Sequence, residues 1–353
     1  MSGAPRVAVS MGDPTGIGPE VTLAALLRPG ARLGLTPILV GDPAVYEVAA
    51  AQLGLRARFA EWAPPAPLPR GTLPVRAVAR LPMSARRPGR PSVPGGRAAH
   101  AAIVEAVRLV RGGFADALTT APIDKANLVA AGLAATGHTE LLAKLCGGVP
   151  VRMMMVGSRL RVVLVTTHLA LSAVPAAVTQ PLVRETLDIT ARALRVQFGI
   201  ARPRLGVAGL NPHAGEQGVF GNEEQRVIGP AIRAARRRGL DVRGPFAADS
   251  LFPLALNGQF DALVCMYHDQ GLGPFKLMHF ADGVNLTLGL PFVRTSPDHG
   301  TAHDIAGRGT ADPRSMAAAL RLAASLAHGR RRSASTPRLT AAAHGSMRST
   351  RQR

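Results

Sequence analysis

The stretch Arg6-Val-Ala-Val-Ser-Met-Gly-Asp-Pro-Thr-Gly-Ile-Gly-Pro-Glu20 decides the fold class. Residues 6–10 form a short apolar run of strand length, 11–19 a Gly/Pro loop, and 20–27 a helix-forming segment. A strand feeding such a loop and then a helix opens an α/β unit. Glycines in this position let backbone amides approach a ligand, and the helix N-terminus favours an anion. A tight strand-to-helix connection explains the same residues. Gly16 and Gly18 are followed by Pro19 and Glu20 instead of a third glycine, so this is not the GxGxxG dinucleotide fingerprint.

The alternation continues outward. Apolar runs predict further strands at 37–40, 115–119, 151–156, 160–166, 204–209, 262–266 and 285–288. Helical periodicity predicts helices at 44–51, 97–111, 125–131, 139–145, 182–198, 223–238 and 314–327. Nine prolines between Trp62 and Gly96 permit extended pieces and no long helix. The Arg-rich stretch 329–353 has no apolar period and reads as a disordered tail.

Composition bounds the function. The chain has 353 residues, 47% hydrophobic and 18% charged, which is ample for a sizeable core and excludes wholesale disorder. Two cysteines form no disulfide framework, no apolar run reaches membrane-span length, and the start lacks a secretory pattern; the expectation is a cytoplasmic protein. A net charge of +20 raises nucleic-acid binding, but seven arginines lie in the last 25 residues and aromatics to stack on bases are few. Nucleic acid is therefore not the expected partner. Only three of 42 basic residues are lysines: Lys125, Lys144 and Lys276. In so Arg-rich a chain, a surviving lysine suggests a need for a compact ammonium.

Chemistry concentrates in a few segments. His168, His213 and His268 each lie at or just past the carboxyl end of an apolar strand, where an open α/β sheet lines its ligand crevice. Three imidazoles so placed suit Zn²⁺ or a related divalent ion with open positions for substrate. His138 and Thr139, with Thr139 as expected N-cap, could both bond a bound anion. Lys276, Asn285 and Arg294 offer two cations and an amide for phosphate and carboxylate. The small-residue loop at 298–308 could wrap a flat group such as adenine.

These segments together resemble the 4-hydroxythreonine-4-phosphate dehydrogenase family of vitamin B6 biosynthesis. The likeness spans about residues 6–327 and rests on GDPTGIGPE, TAPIDK, GHTE, TTHLALSAVP, GLNPHAGE, MYHDQG and GVNLTLGLPFVRTSPDHGTAHDIAGRG, in that order. GIGPE and HGTAHDIAG also look like the wider isocitrate/isopropylmalate dehydrogenase superfamily. The resemblance implies two α/β domains flanking a cleft, expected at 1–127 plus 307–328 and at 128–306. It implies a homodimer with a shared active site, the metal (Zn, Mg or Co) taking His168 and His213 of one subunit and His268 of the other. It assigns substrate contacts to His138, Thr139, Lys276, Asn285 and Arg294. The NAD (or NADP) contacts would be Gly16, Gly18, His299, Gly300, Thr301, Ala302, Asp304 and Ile305. Asp249, Asp269 and Lys276 are the candidate proton-transfer groups.

The implied reaction is NAD-dependent oxidation of 4-phosphooxy-L-threonine, whose product loses CO₂. Relatives of the same fold that oxidise threonate or erythronate 4-phosphate, or cis-dihydrodiol carboxylates, are the alternative. A metallohydrolase using the three histidines is a competing class that would need no NAD.

Overall fold

The computed structural model describes residues 3–28, 30, 32–133 and 137–335, with side chains to 329. Among these residues twelve strands form one sheet. In chain order they are β1 (Arg6–Ser10), β2 (Thr36–Gly41), β3 (Phe59–Glu61), β4 (Leu73–Ala77), β5 (Ala117–Thr120) and β6 (Arg152–Val156). They continue with β7 (Arg161–Leu164), β8 (Arg204–Ala208), β9 (Asp241–Phe246), β10 (Ala262–Cys265), β11 (Val284–Leu288) and β12 (Val293–Pro297). Their spatial order is β3-β4-β2-β1-β5-β12-β11-β6-β7-β10-β8-β9.

The run β3 to β12 is parallel, as is the run β7 to β9. Between them, β12-β11, β11-β6 and β6-β7 are all antiparallel. Three reversals leave the two parallel halves running in opposite directions. Central strands such as β1 and β5 are buried on both faces, which is why they read as unbroken apolar runs. One apolar core runs from Val7 through Met154 and Leu187 to Leu326, and a smaller cluster gathers Met155, Val162, Leu263 and Phe275.

The α/β class expected from the sequence is the one observed, with several local differences. β12 was not expected: Arg294, Thr295, Ser296 and Pro297 disguise a strand that is buried throughout. Because β12 pairs in parallel with β5, the chain rejoins the first half of the sheet by Val293, ahead of the boundary expected at 307. β9 and the helices Ala248–Leu256 and His268–His279 were also missed, each holding a proline that breaks the usual pattern.

The helix expected at 97–111 starts earlier, at Val93, since Pro94 is tolerated in a first turn and Ser92 caps it. The helix expected at 223–238 opens with a π-turn, Glu224–Ile228, before the α-helix Gly229–Arg237; Pro230 has no N–H to continue an α-helical ladder. The last helix, Arg314–Ser335, takes in the first seven residues of the expected disordered tail. The remainder, 336–353, lies outside the described residues.

Two loops at the ends of the first half are joined. The Ile17 N–H donates to the Thr301 carbonyl at 2.9 Å, and a Cβ on Gly16 would stand 2.8 Å from that same oxygen. Gly18 packs as closely on the Met11 carbonyl, 2.9 Å from a Cβ position. Both glycines are buried against protein atoms. Within this chain both glycines serve close packing. Gly16→Ala should therefore cost about 1–3 kcal/mol by overpacking. Thermal unfolding would check this; an unchanged midpoint would mean that the two loops are not held together here.

Candidate active site

A cavity of about 290 Å³ lies where the two halves of the sheet meet. Its walls come from the segment after β5 (Thr120 to Lys125), the start of helix His138–Leu145, β6, helix His268–His279, β11 and β12. His138, Thr139, His168, His268, Lys276, Asn285, Arg294, His299 and Gly300 all line it, drawn from positions up to 162 residues apart.

Arg294 is 1% exposed. Its guanidinium donates to Thr287 Oγ1 on β11 at 3.0 Å and to Thr120 Oγ1 on β5 at 2.5 Å. No carboxylate pairs with it among the described residues. Burial pushes its pKa down to about 9, opposed by the charge of Glu140. A buried cation without a counter-ion is costly, and an anionic ligand is the natural remedy.

The same cavity gathers other unmet polar groups. Arg294 Nε, His138 Nε2, Asn285 Oδ1 and His299 Nε2 are buried and have no hydrogen-bond partner among the described residues. Buried polar atoms are rarely left so, and four around one cavity mark a place for a polar ligand. Burial, then the nearby charges of Arg294 and Lys125, hold His138 well below its ordinary pKa. Burial also lowers that of His299.

Helix His268–His279 places His268, Leu272 and Lys276 at intervals of four, so they share the face that lines the cavity. Lys276 Nζ pairs with Asp298 Oδ2 at 3.2 Å. Burial raises the Asp298 pKa, partly offset by Lys276. The expected N-cap at Thr139 is Gly137 instead, which leaves His138 and Thr139 as the first two helical residues.

The metal histidines divide differently from the expectation. The rings of His168 and His268 lie 5.8 Å apart in one chain. His213 sits on another loop, its ring 6.0 Å from Phe220, and the three do not gather within a single chain. The pair inside a chain is thus His168 with His268. Burial lowers the His168 pKa and favours the neutral, ligating form. His268 Nδ1 bonds Asp269 Oδ1 at 2.6 Å, leaving Nε2 free in the manner of an oriented metal ligand. Two imidazoles on one cavity fit a borderline divalent ion such as Zn²⁺ or Co²⁺.

His213 also carries strain. Residues 213–217 all have positive φ, and four of them are not glycine. Glu224 holds the turn by accepting from the Leu210 and Asn211 N–H groups at 2.7 and 2.8 Å. Such conformations cost about 1–3 kcal/mol each and gather at functional sites. Among the described residues the other non-glycine with positive φ is Ala302, in the loop expected to meet the cofactor.

Of the proton-transfer candidates only Lys276 lines the cavity. Asp269 is 89% exposed and engaged with His268. Asp249 is exposed on helix Ala248–Leu256 and bonds Ser250. Thr301, Ala302, Asp304 and Ile305 do not line the cavity, unlike His299 and Gly300.

Other residues were missed. Lys125, Glu140, Ser296 and Asp298 line the cavity. His303 bridges three loops, its Nε2 3.0 Å from Asp124 Oδ2 and its Nδ1 3.3 Å from the Thr15 carbonyl. Asp13, Asp124 and His303 are close enough to share an ion, but hydrogen bonds from Thr15, Ala126 and Asn127 already occupy the two carboxylates. The rarity of lysine was the signal for Lys125; Asp298 and His303 gave none beyond their loop.

The fold and site define a class: an α/β protein with a cavity suited to a small anion between two half-sheets, beside a pair of metal-competent histidines. Within it, the chain belongs to the family described as pyridoxal phosphate biosynthetic protein PdxA, whose family model matches residues 34–323. A 4-hydroxythreonine-4-phosphate dehydrogenase from Geobacter metallireducens is 48% identical over 335 residues, covering 94% of this chain and 98% of the relative. A crystal structure of the enzyme of that name from Klebsiella pneumoniae matches at 39% identity and TM-score 0.83, covering 92% and 98% of the two chains. A terephthalate 1,2-cis-dihydrodiol dehydrogenase from Burkholderia xenovorans matches at 33% identity and TM-score 0.64, covering 91% and 98%.

Arg294→Met should remove anion binding, with a loss of turnover above roughly 100-fold, yet keep or raise the unfolding temperature, because an unpaired buried cation becomes apolar. A large fall in stability on thermal unfolding would mean that Arg294 is chiefly structural. A second prediction concerns pH. His138 is held below its ordinary 6.5 in the folded chain, so the unfolded chain binds the extra proton in the window below 6.5. The associated stability is complete above that value and is lost as pH falls. Urea midpoints should drop from pH 7.5 to pH 5, and His138→Gln should shrink the drop; an equal drop in both proteins would clear His138.

Proposed function

We propose that this chain oxidises 4-phosphooxy-L-threonine with NAD to 2-amino-3-oxo-4-phosphooxybutanoate, which loses CO₂ to give 3-amino-2-oxopropyl phosphate on the way to pyridoxal 5'-phosphate. The observation that carries this reading is Arg294, a buried cation without a carboxylate, facing a cavity of unmet polar groups in a chain of this family. The names of its relatives support the substrate.

The chain's own groups suit the work. Arg294 and Lys276 neutralise the anionic ends of the substrate, while His138, Thr139 and Asn285 supply neutral hydrogen-bonding groups that fix its register. Holding both ends sets the reacting carbon in place, which is where much of the rate arises. Asp298, held at 3.2 Å by the ammonium of Lys276, is a carboxylate on the wall that can accept the hydroxyl proton.

A divalent metal (Zn, Mg or Co) would be held by His168 and His268 with the partner subunit's His213, and when bound it supplies Lewis-acid polarisation of the substrate oxygen. NAD, or NADP, would be held by His299, Gly300 and the loop to Ile305, and when bound it supplies the hydride acceptor. The orphaned Nε2 of His299 supports that placement.

A homodimer follows from the same reading. Leu277 and Phe280, 89% and 81% exposed, flank Lys276, and exposed Leu169, Leu171, Val219 and Phe220 stand near His168 and His213. Apolar side chains of this kind around a site suit burial by a second copy. No helix among the described residues is long and apolar enough to cross a membrane, and the proposed place of action is the cytoplasm.

Threonate or erythronate 4-phosphate and cis-dihydrodiol carboxylates are the alternative substrates, the last supported by the Burkholderia xenovorans structure. Its weaker structural match and the three cations of the cavity favour a phosphorylated substrate.

The test is reduced-nicotinamide formation from each substrate with a divalent ion. 4-Phosphooxy-L-threonine should be preferred, and a chelator should abolish turnover until metal is returned. Mixing inactive His213→Ala and His268→Ala proteins should restore roughly a quarter of the activity, since half of the dimers then carry one intact shared site. No reduction with 4-phosphooxy-L-threonine would end the proposal, and no recovery on mixing would end the shared site.

A further inference from the structure

We infer that Lys125 is a further specificity-determining residue of this site, its ammonium reading the phosphate group of the substrate. This rests on the reading above that the substrate is phosphorylated. Lysine is nearly absent from the chain, yet two of its three lysines, Lys125 and Lys276, line this one cavity. The third, Lys144, lies in the last turn of helix His138–Leu145, where a cation meets the negative end of the helix and needs no ligand to explain it.

Lys125 lacks such an account. It is the first residue of helix Lys125–Ala130, the end that disfavours a cation. Unlike Lys276, it has no carboxylate within ion-pair distance among the described residues. Its position is nevertheless held firmly. Asp124 beside it accepts from the Ala126 and Asn127 N–H groups at 2.7 and 3.2 Å and bonds His303 at 3.0 Å, and Asn127 donates to Asp13 at 2.7 Å.

The ammonium also has something to frame. A Cβ on Gly137 would stand 3.8 Å from Lys125 Nζ and 2.8 Å from Glu140 Oε2, so the absent side chain leaves a space between them. This space adjoins the start of helix His138–Leu145 and the unpartnered, buried Nε2 of His138. Arg294 and Lys125 both act on His138. One end of the cavity thus carries two cations and an unmet imidazole against Glu140 alone. Lys276, at the other wall, already shares its charge with Asp298. A phosphate dianion fits the first end, and the carboxylate of the substrate the second. A compact ammonium meets a phosphate oxygen as a point charge, which a planar guanidinium does not reproduce.

The experiment compares wild type, Lys125→Met and Lys125→Arg as full-length protein. Inorganic phosphate is titrated calorimetrically, and turnover is measured with 4-phosphooxy-L-threonine and with L-4-hydroxythreonine. Losing one charge-assisted bond should weaken phosphate binding by roughly 10- to 100-fold in Lys125→Met. The ratio of kcat/KM for the phosphorylated over the unphosphorylated substrate should fall similarly, mainly through KM. Lys125→Arg should recover only part of either. Thermal unfolding should be unchanged because Lys125 is exposed.

Equal phosphate affinity in wild type and Lys125→Met would overturn the assignment, as would an equal loss of kcat with both substrates. If wild type fails to oxidise 4-phosphooxy-L-threonine, the functional reading falls, and the phosphate titration alone then decides the role of Lys125.

Discussion

Arg294 is the constraint on which much of this molecule turns. It sits on β12, where the chain re-enters the first half of the sheet, and its guanidinium bonds one threonine on each side, Thr120 on β5 and Thr287 on β11. The two parallel halves run in opposite directions, so the antiparallel strands between them form the seam over which the cavity opens. A cation buried at that seam satisfies the geometry of the sheet with neutral partners and keeps its charge uncompensated. The fold accepts that cost where a ligand can repay it.

The loops around the seam are held by different means. Gly16 and Gly18 allow the first loop to press on Thr301 and Met11, and His303 clasps the loops bearing Thr15 and Asp124. Near His213 the backbone itself is strained, through left-handed residues anchored by Glu224. That turn places His213 on a loop of its own, its ring beside Phe220 instead of joining His168 and His268 in a three-ligand cluster.

Charge is distributed with similar economy. The chain carries a large excess of arginine, but the ion pairs it makes are mainly at the surface, such as Arg80–Glu61 and Arg314–Asp312, where each contributes little. The cavity is different. There the cations are Lys125, Lys276 and Arg294, and burial lowers the pKa values of His138, His168 and His299, so the positive field falls on fixed groups and these imidazoles are free to donate, accept or ligate.

Local pattern in the sequence determined the α/β class, most strand and helix positions, and the placing of His168, His213 and His268 just past strand ends, because apolar runs and Gly/Pro loops are local physics. It also marked His138, Lys276, Asn285 and Arg294, which do meet in one cavity. It did not reveal β12, whose polar residues hide a buried strand, nor the prolines tolerated inside the helices of Ala248–Leu256 and His268–His279. Only the tertiary structure decided that the rings of His168 and His268 lie together, that Asp269 bonds an imidazole, that Gly16 and Gly18 pack on Thr301 and Met11, and that Lys125 lines the same cavity as Arg294. Those facts depend on distances between residues far apart in the chain, and no local period encodes which loops a folded sheet brings face to face.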